Sequence, residues 1–276
     1  MTAADENIIE SKPDHALGQY KSWRLTHGAS APIDMAWLSV AHARAPAQHR
    51  LLPHGEPSIV ISRKRDSNNA ITECALVICG PYHQTGYYTP VPREELIGFR
   101  IMPEHSAVVF GVAPIDYADR PTSQAPARLI HACSRTLELA ARAPAREIFA
   151  ALQNDLRQFL IATELKAGPE AQAALWLRHT NGTVRLRHVA QSLDISERTL
   201  RRRFLDHVGC SPKAYARQLQ LTNASLIAEQ TPAPDWAAIA AEAGFHDQSH
   251  MINAFRTEMG MTPAAFHAER RALAQG

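Results

Sequence analysis

Two hydrophobic periodicities divide the chain. Up to about residue 125 the apolar positions fall in short runs: Ser58-Ile-Val-Ile-Ser62, Ala75-Leu-Val-Ile-Cys79, Gly98-Phe-Arg-Ile101 and Ala107-Val-Val-Phe110. Pro, Gly or Asn punctuate them, and apolar runs bounded in this way predict strands joined by turns. Ten of the 18 prolines lie between Pro32 and Pro121, interleaved with these runs. From Ala127 the pattern becomes helical. Residues 128–142 and 145–166 are rich in Ala, Leu, Arg and Glu, and Leu152, Leu156, Phe159, Leu160 and Thr163 recur at i, i+3, i+4 spacing. Gly168-Pro169 breaks that stripe. The pattern predicts an α+β multidomain chain: a mainly-β N-terminal domain over 1–126, a helical connector over 127–170 and an all-α C-terminal domain over 171–276.

The last hundred residues repeat themselves. Phe204-x4-Gly209-x-Ser211-Pro212-x-x-Tyr215 matches Phe255-x4-Gly260-x-Thr262-Pro263-x-x-Phe266 at an offset of 51, and Val189-Ala190 matches Ile239-Ala240 at an offset of 50. The slip falls between Gly244 and Met251, where a turn absorbs one extra residue. Each copy reads as helix, tight turn, helix. In the first, Leu186, Val189 and Ala190 face inward, Leu193-Asp194-Ile195 turn, and Ser196 caps the next helix with Glu197 in its first turn. In the second, Trp236, Ile239 and Ala240 precede the turn Ala243-Gly244-Phe245, and Asp247 is the cap. Gly244 suits a left-handed backbone, and Asp194 at the matching place tolerates one better than most residues. Two helices joined in this way form the unit whose second helix enters a DNA major groove.

The second helices indicate which side chains face a duplex. At 100° per residue, Leu200 and Phe204 share a core face, while Arg198, Arg201 and Arg202 lie opposite with Arg203 on the flank. An arginine fork reads guanine O6 and N7 together and also pairs with phosphates. In the second copy Met251, Phe255 and Met259 form the core stripe; Ser249, His250 and Asn253 point outward and Arg256 flanks them. Whole-chain charge is only +2, yet residues 178–217 hold nine basic and three acidic side chains, whereas 218–271 hold three and six. The first unit is therefore expected to supply most of the phosphate attraction, and the second to discriminate bases weakly or through water. Between the units, Pro212 to about Gln230 reads as one long helix, capped by Ser211 and ended by Thr231-Pro-Ala-Pro234. At ~1.5 Å per residue its length approaches the ~34 Å repeat of successive major grooves on one face of DNA.

From about Trp176 to Arg270 the sequence resembles the DNA-binding domain of AraC/XylS-type bacterial transcription regulators. Val189-Ala190, Ser196-Glu-Arg-Thr-Leu-Arg-Arg-Arg-Phe204, Gly209-Cys-Ser-Pro212, Ile239-Ala-Ala-Glu-Ala-Gly-Phe245, Asp247-Gln-Ser-His250, Phe255 and Gly260-Met-Thr-Pro263 carry the likeness. The resemblance implies seven helices with two helix-turn-helix units, a double-stranded DNA partner, and activation of transcription through contact with RNA polymerase. Met251 and Asn253 depart from the Phe and Arg common in the family's last recognition helix, which weakens the contact expected of the second unit. The first 125 residues resemble the cupin-like sensor regions that precede such domains, through His49-Arg-Leu-Leu-Pro-His-Gly-Glu-Pro-Ser-Ile-Val-Ile61 (a strand, turn and strand), Gly98-Phe-Arg-Ile-Met-Pro103 and Phe110-Gly-Val-Ala-Pro114. In relatives such a region binds a small effector or forms a homodimer, and both are expectations here by analogy.

The rival reading is a metal- or thiol-dependent enzyme or sensor in the front half, with the DNA domain as localiser. His42, His49, His54, His83 and His105 fall there, but no H-x-H does, and His49, His54 and Glu56 converge only if the strands pair suitably. Cys74 and Cys79 lack an adjacent base and read as strand core, or alternatively as a thiol sensor. No G-x-S-x-G, P-loop or G-x-G-x-x-G is present, so no enzyme and no cofactor are expected. Trp37, Tyr82, Tyr87, Tyr88, Phe99 and Phe110 are candidate linings of an apolar effector pocket. Four cysteines without C-x-x-C spacing, no run of about 18 apolar residues and no secretory signal point to a cytoplasmic chain with no membrane partner.

Overall fold

The computed structural model describes residues 8–15, 18–25, 32–41, 49–51, 55–120, 123–163 and 168–275. Its front half is built on strands β1 (Ile8–His15), β2 (Gly18–Arg24), β3 (Ile33–Ala41), β4 (His49–Leu51), β5 (Ser58–Arg65), β6 (Ile71–Cys79), β7 (Gly86–Tyr88), β8 (Glu94–Ile101) and β9 (Ser123–Gln124). Seven of them pair antiparallel in the order β1-β2-β3-β8-β5-β6-β9, and β4 and β7 form a separate pair. The central strands β5 and β8 are the most apolar. Their register sets Ile59 opposite Phe99 and Ile61 opposite Ile97, so all four side chains enter one core face. On the other face Val60 lies opposite Gly98, which is bare because Trp37 lies over it; a Cβ there would come within 2.4 Å of the indole.

Helices α2 (Ala127–Ala132), α3 (Ser134–Ala140) and α4 (Ala145–Ala162) cover the apolar face. Leu129, Ile148, Leu152 and Leu156 share one core with the sheet, and Phe149 meets Trp23 and Phe99 edge-on at 5.3 and 5.8 Å. Among the described residues the front core thus sets sheet against helix. Arg63, fully buried on β5, ties the two layers. It pairs with Glu95 and donates Nη1 to the carbonyl of Ala143 at 2.6 Å, just beyond the end of α3. Nη1 also donates to the carbonyl of Ala140, the last residue of α3, at 3.3 Å, and that is a carbonyl the helix end leaves open.

Two expected strands differ. Ala107-Val-Val-Phe110 belongs to helix α1 (Pro103–Phe110), because Pro103 opens a helix and Gly111, at φ +69°, closes it. A short apolar run alone does not separate buried strand from buried helix. The strand at His49 exists, but it pairs with β7 and not with the strand that follows it.

The C-terminal part holds α5 (Pro169–His179), α6 (Leu186–Ser192), α7 (Glu197–Val208), α8 (Pro212–Glu229), α9 (Trp236–Glu242), α10 (Gln248–Ala254), a π-helical turn at Phe255–Met259, and α11 (Pro263–Gln275). Two small cores form. Leu177, Val189, Leu200, Phe204 and Tyr215 make the first; Leu221, Ile239, Met251, Phe255 and Phe266 make the second. Helix α8 contributes to both and binds one to the other. None of the described helices is long and apolar enough to cross a membrane.

The two halves pack together through one polar-lined contact. Glu104 on α1 accepts both forks of Arg178 on α5, at 2.6 Å each, and Arg178 also lies 3.4 Å from the Tyr215 hydroxyl. Gly55 closes over Tyr215, and Gly209 sits against Pro114. Thr85 donates its backbone N–H and its hydroxyl to the carbonyl of Glu258, and Gln218 donates to the carbonyl of Tyr82.

Candidate nucleic-acid interface

Each second helix is placed by its turn and its cap. In the first unit Asp194 adopts φ +52°, and the Ile195 N–H returns to the Ala190 carbonyl at 3.1 Å. Ser196 then accepts from the Thr199 N–H at 3.0 Å and starts α7. The second unit reproduces this with Gly244 at φ +80° and Phe245 N–H bonded to the Ala240 carbonyl at 2.9 Å. Asp247 caps α10 by accepting from the His250 N–H at 2.7 Å. From left-handed residue to cap is two residues in the first turn and three in the second, Phe245 and His246 standing where Ile195 stands alone. This is the one-residue slip of the repeat. Beyond it the copies keep step to Gly209 and Gly260, both left-handed, although the last turn of the second copy is π-helical.

On α7, Leu200, Phe204 and Val208 are buried, and Arg198, Arg201 and Arg202 are exposed on the opposite face. Among the described residues Arg201 makes an exposed i, i+4 contact to Glu197 at 3.3 Å, which competes weakly with a ligand. Arg203 is held differently: its Nε donates to Glu170 on α5 at 2.7 Å, and Glu170 is almost fully buried. On α10, Ser249, His250 and Asn253 are exposed, as is Arg256 in the turn that follows. With the described part of the front half in place, Arg198, Arg201, Arg202, Arg256 and the polar residues of α10 stay exposed, while Arg203 is partly covered. Leu205, 53% exposed, stands beside the arginine face.

One site residue escaped the sequence reading. Arg217, on α8, donates Nη2 to His250 Nε2 at 2.8 Å and lies over the Phe245 ring at 5.4 Å. Partial desolvation, then the Arg217 charge, pulls the His250 imidazole below its ordinary pKa, and an arginine can only donate, so Nε2 is the acceptor of this bond. Reading α8 only as a spacer concealed Arg217; its i, i+4 spacing from Lys213 was the available signal.

The residues of the rival reading are engaged elsewhere. Glu56 accepts from Arg100 at 2.7 Å, and Arg100 also pairs with Asp34. His83 lies 3.3 Å from Asp119, and His105 is buried in α1. His42, His54 and the side chain of His49 lie outside the described residues. Burial pushes the thiols of Cys79, Cys133 and Cys210 up to about 12, and that of Cys74 upward as well, which is the opposite of an activated nucleophile. Of the candidate pocket aromatics, Phe99, Phe110 and Tyr82 are buried, Trp37 lies over Gly98, Tyr88 donates to Glu94 at 2.7 Å, and Tyr87 is half exposed.

Comparison with known proteins bears on this arrangement. Residues 189–269 match the helix-turn-helix domain family. The chain is 30% identical over 132 residues to the HTH-type transcriptional activator RhaR of an Enterobacter species, covering 45% of this chain and 46% of that protein. It is 30% identical over 105 residues to the HTH-type transcriptional activator RhaS of Salmonella arizonae, covering 38% and 37%. The chain thus spans about half the length, or less, of these curated relatives. Among solved structures, the DNA-binding domain of the transcriptional factor AdpA, in complex with a target DNA, is 27% identical, with 38% of this chain and 96% of that one covered and a TM-score of 0.35. Residues 189–269 thus carry a helix-turn-helix domain, and its helix-turn-helix unit occurs twice in this chain.

Proposed function

We propose that the protein is a sequence-specific DNA-binding transcription regulator whose two helix-turn-helix units read two adjacent major grooves. The observation that carries this is the exposed face of Arg198, Arg201 and Arg202 on a helix whose turn and cap are those of a recognition helix. Arg198, Arg201 and Arg202 contact one groove, with Arg203 on the backbone only as far as its bond to Glu170 allows. Ser249, His250 and Asn253 face the next groove, with Arg256 flanking. Residues 171–276 are the DNA-binding domain, and 1–126 with the connector 127–170 form the sensing or dimerising part. The RhaR and RhaS proteins are named activators, which supports activation here, through RNA polymerase. A small effector on the front domain and a homodimer complete the reading, and such a regulator works in the cytoplasm, where the DNA is.

Selection of bound sequences from random duplex DNA by the full-length protein tests this. The expected result is one bipartite site of about two helical turns. A variant with Arg198, Arg201 and Arg202 all changed to Ala should enrich nothing while melting as the parent does. Equal enrichment by parent and variant, or none by either, would sink the assignment.

A further inference from the structure

A cavity of about 410 Å³ opens between the start of α8 and the second recognition helix. Ser211, Lys213, Arg217, His250, Asn253 and Glu258 provide its polar lining. Three features suit it to one phosphate group. Lys213 and Arg217 supply two permanent cations one helical turn apart, and a charged pair of donors is the usual anion clamp. The first turn of α8, an 18-residue helix, adds the positive end of its dipole, and the Ser211 hydroxyl, which accepts from Ala214 N–H at 3.1 Å, keeps its own hydrogen to donate. Arg217 also has an unanswered donor: Nη2 is given to His250, but Nη1 is buried without an acceptor among the described residues. Glu258 is the opposing group. Burial raises its carboxyl to about 7, which reduces the negative charge a phosphate would meet there.

The place of the cavity selects the source of the phosphate. Its walls come from the residues just after the first unit and from the exposed side of α10, so it lies between the two reading heads. Helices seated in successive major grooves on one face of a duplex are separated by the intervening minor groove, and the phosphates bordering that groove face the protein. Resting on the regulator reading above, we propose that a single DNA backbone phosphate between the two half-sites lodges in this cleft, held by Lys213 and Arg217 with His250 and Ser211 beside it. It sets the register of the second unit on the duplex while reading no base. This also accounts for a second recognition helix that is itself poor in charge.

The test uses full-length protein and its selected duplex, with each backbone phosphate in turn replaced by a neutral methylphosphonate. One position between the half-sites should weaken binding by the parent about tenfold, and the same replacement should leave Lys213→Gln unaffected. Lys213 is exposed, so this variant folds; Lys213→Arg should restore the sensitivity. The slope of log K against log salt should fall by about one for Lys213→Gln, with base preferences unchanged. Selective binding in which every methylphosphonate penalty is the same in parent and Lys213→Gln overturns the cleft and leaves the regulator reading intact. Absence of any selective binding by the parent removes both. A titration with inorganic phosphate, followed through the His250 ring signals, separates the sources: saturation at submillimolar phosphate without coupling to the duplex would make this a small-anion site and overturn the proposal.

Discussion

Arg202 and Arg203 are adjacent in sequence and face different worlds. A rotation of 100° leaves Arg202 in solvent and brings Arg203 onto Glu170, 2.7 Å away. Their substitutions should differ in kind. Arg202→Ala is expected to cost about 1–3 kcal/mol of binding and to relax preference at one base pair, as read from selection profiles of the two proteins. Arg203→Ala strands a buried carboxylate, so it should lower the urea midpoint and leave base preference alone. The arginine face was legible from the helical wheel. Glu170 was not, because a partner 33 positions upstream is set by packing and leaves no periodic trace. Glu258 is another residue whose environment is invisible in the sequence. Burial lifts its carboxyl from an ordinary 4.5 to about 7, against an opposing pull from Arg217. Between those values the folded state holds a proton that the unfolded state has lost, so stability falls as pH rises through the window. Melting at pH 5 and pH 8 should show that fall in the parent and a smaller one in Glu258→Gln. An unchanged pH dependence would mean that other groups govern it.

At the scale of elements, caps and turns mattered more than propensity. Ser196 and Asp247 are caps whose side chains accept from Thr199 and His250 backbone N–H groups, and both could be read from residue type and position. Ser196→Ala should cost about 1 kcal/mol of stability, measured by urea unfolding, with the binding site preference retained. The offset slip of the repeat was equally legible, and the structure places it in the turn as one extra residue. The π-helical turn at Phe255–Met259 was not legible, since its sequence keeps step with an α-helical counterpart. The run Ala107-Val-Val-Phe110 misled for a definite reason. Its β-favouring side chains are overruled by Pro103 at the start, the left-handed Gly111 at the end, and burial of Val109 and Phe110 in the front core.

On the scale of the whole molecule, the joint between the halves is the least readable feature and the most consequential. Glu104 and Arg178 are 74 residues apart, and Thr85 and Glu258 are 173 apart. No local pattern connects such pairs. The Glu104–Arg178 bond is buried, with side-chain exposures of 4% and 15%, and removing one partner of such a pair costs roughly 3 kcal/mol. Glu104→Gln should therefore split a single melting transition into two, with the front half released from the C-terminal one; a single transition at the parent's midpoint would show the joint to be held by other contacts. The joint reaches both reading heads at once: Arg178, Gly209 and Tyr215 belong to the first, and the Glu258 carbonyl that receives Thr85 belongs to the second. A clamp that grips two jaws works as a caliper. The intact protein should tolerate little variation in the number of base pairs between its half-sites, and loosening the grip with Thr85→Val and Glu104→Gln should widen the range of spacings it accepts.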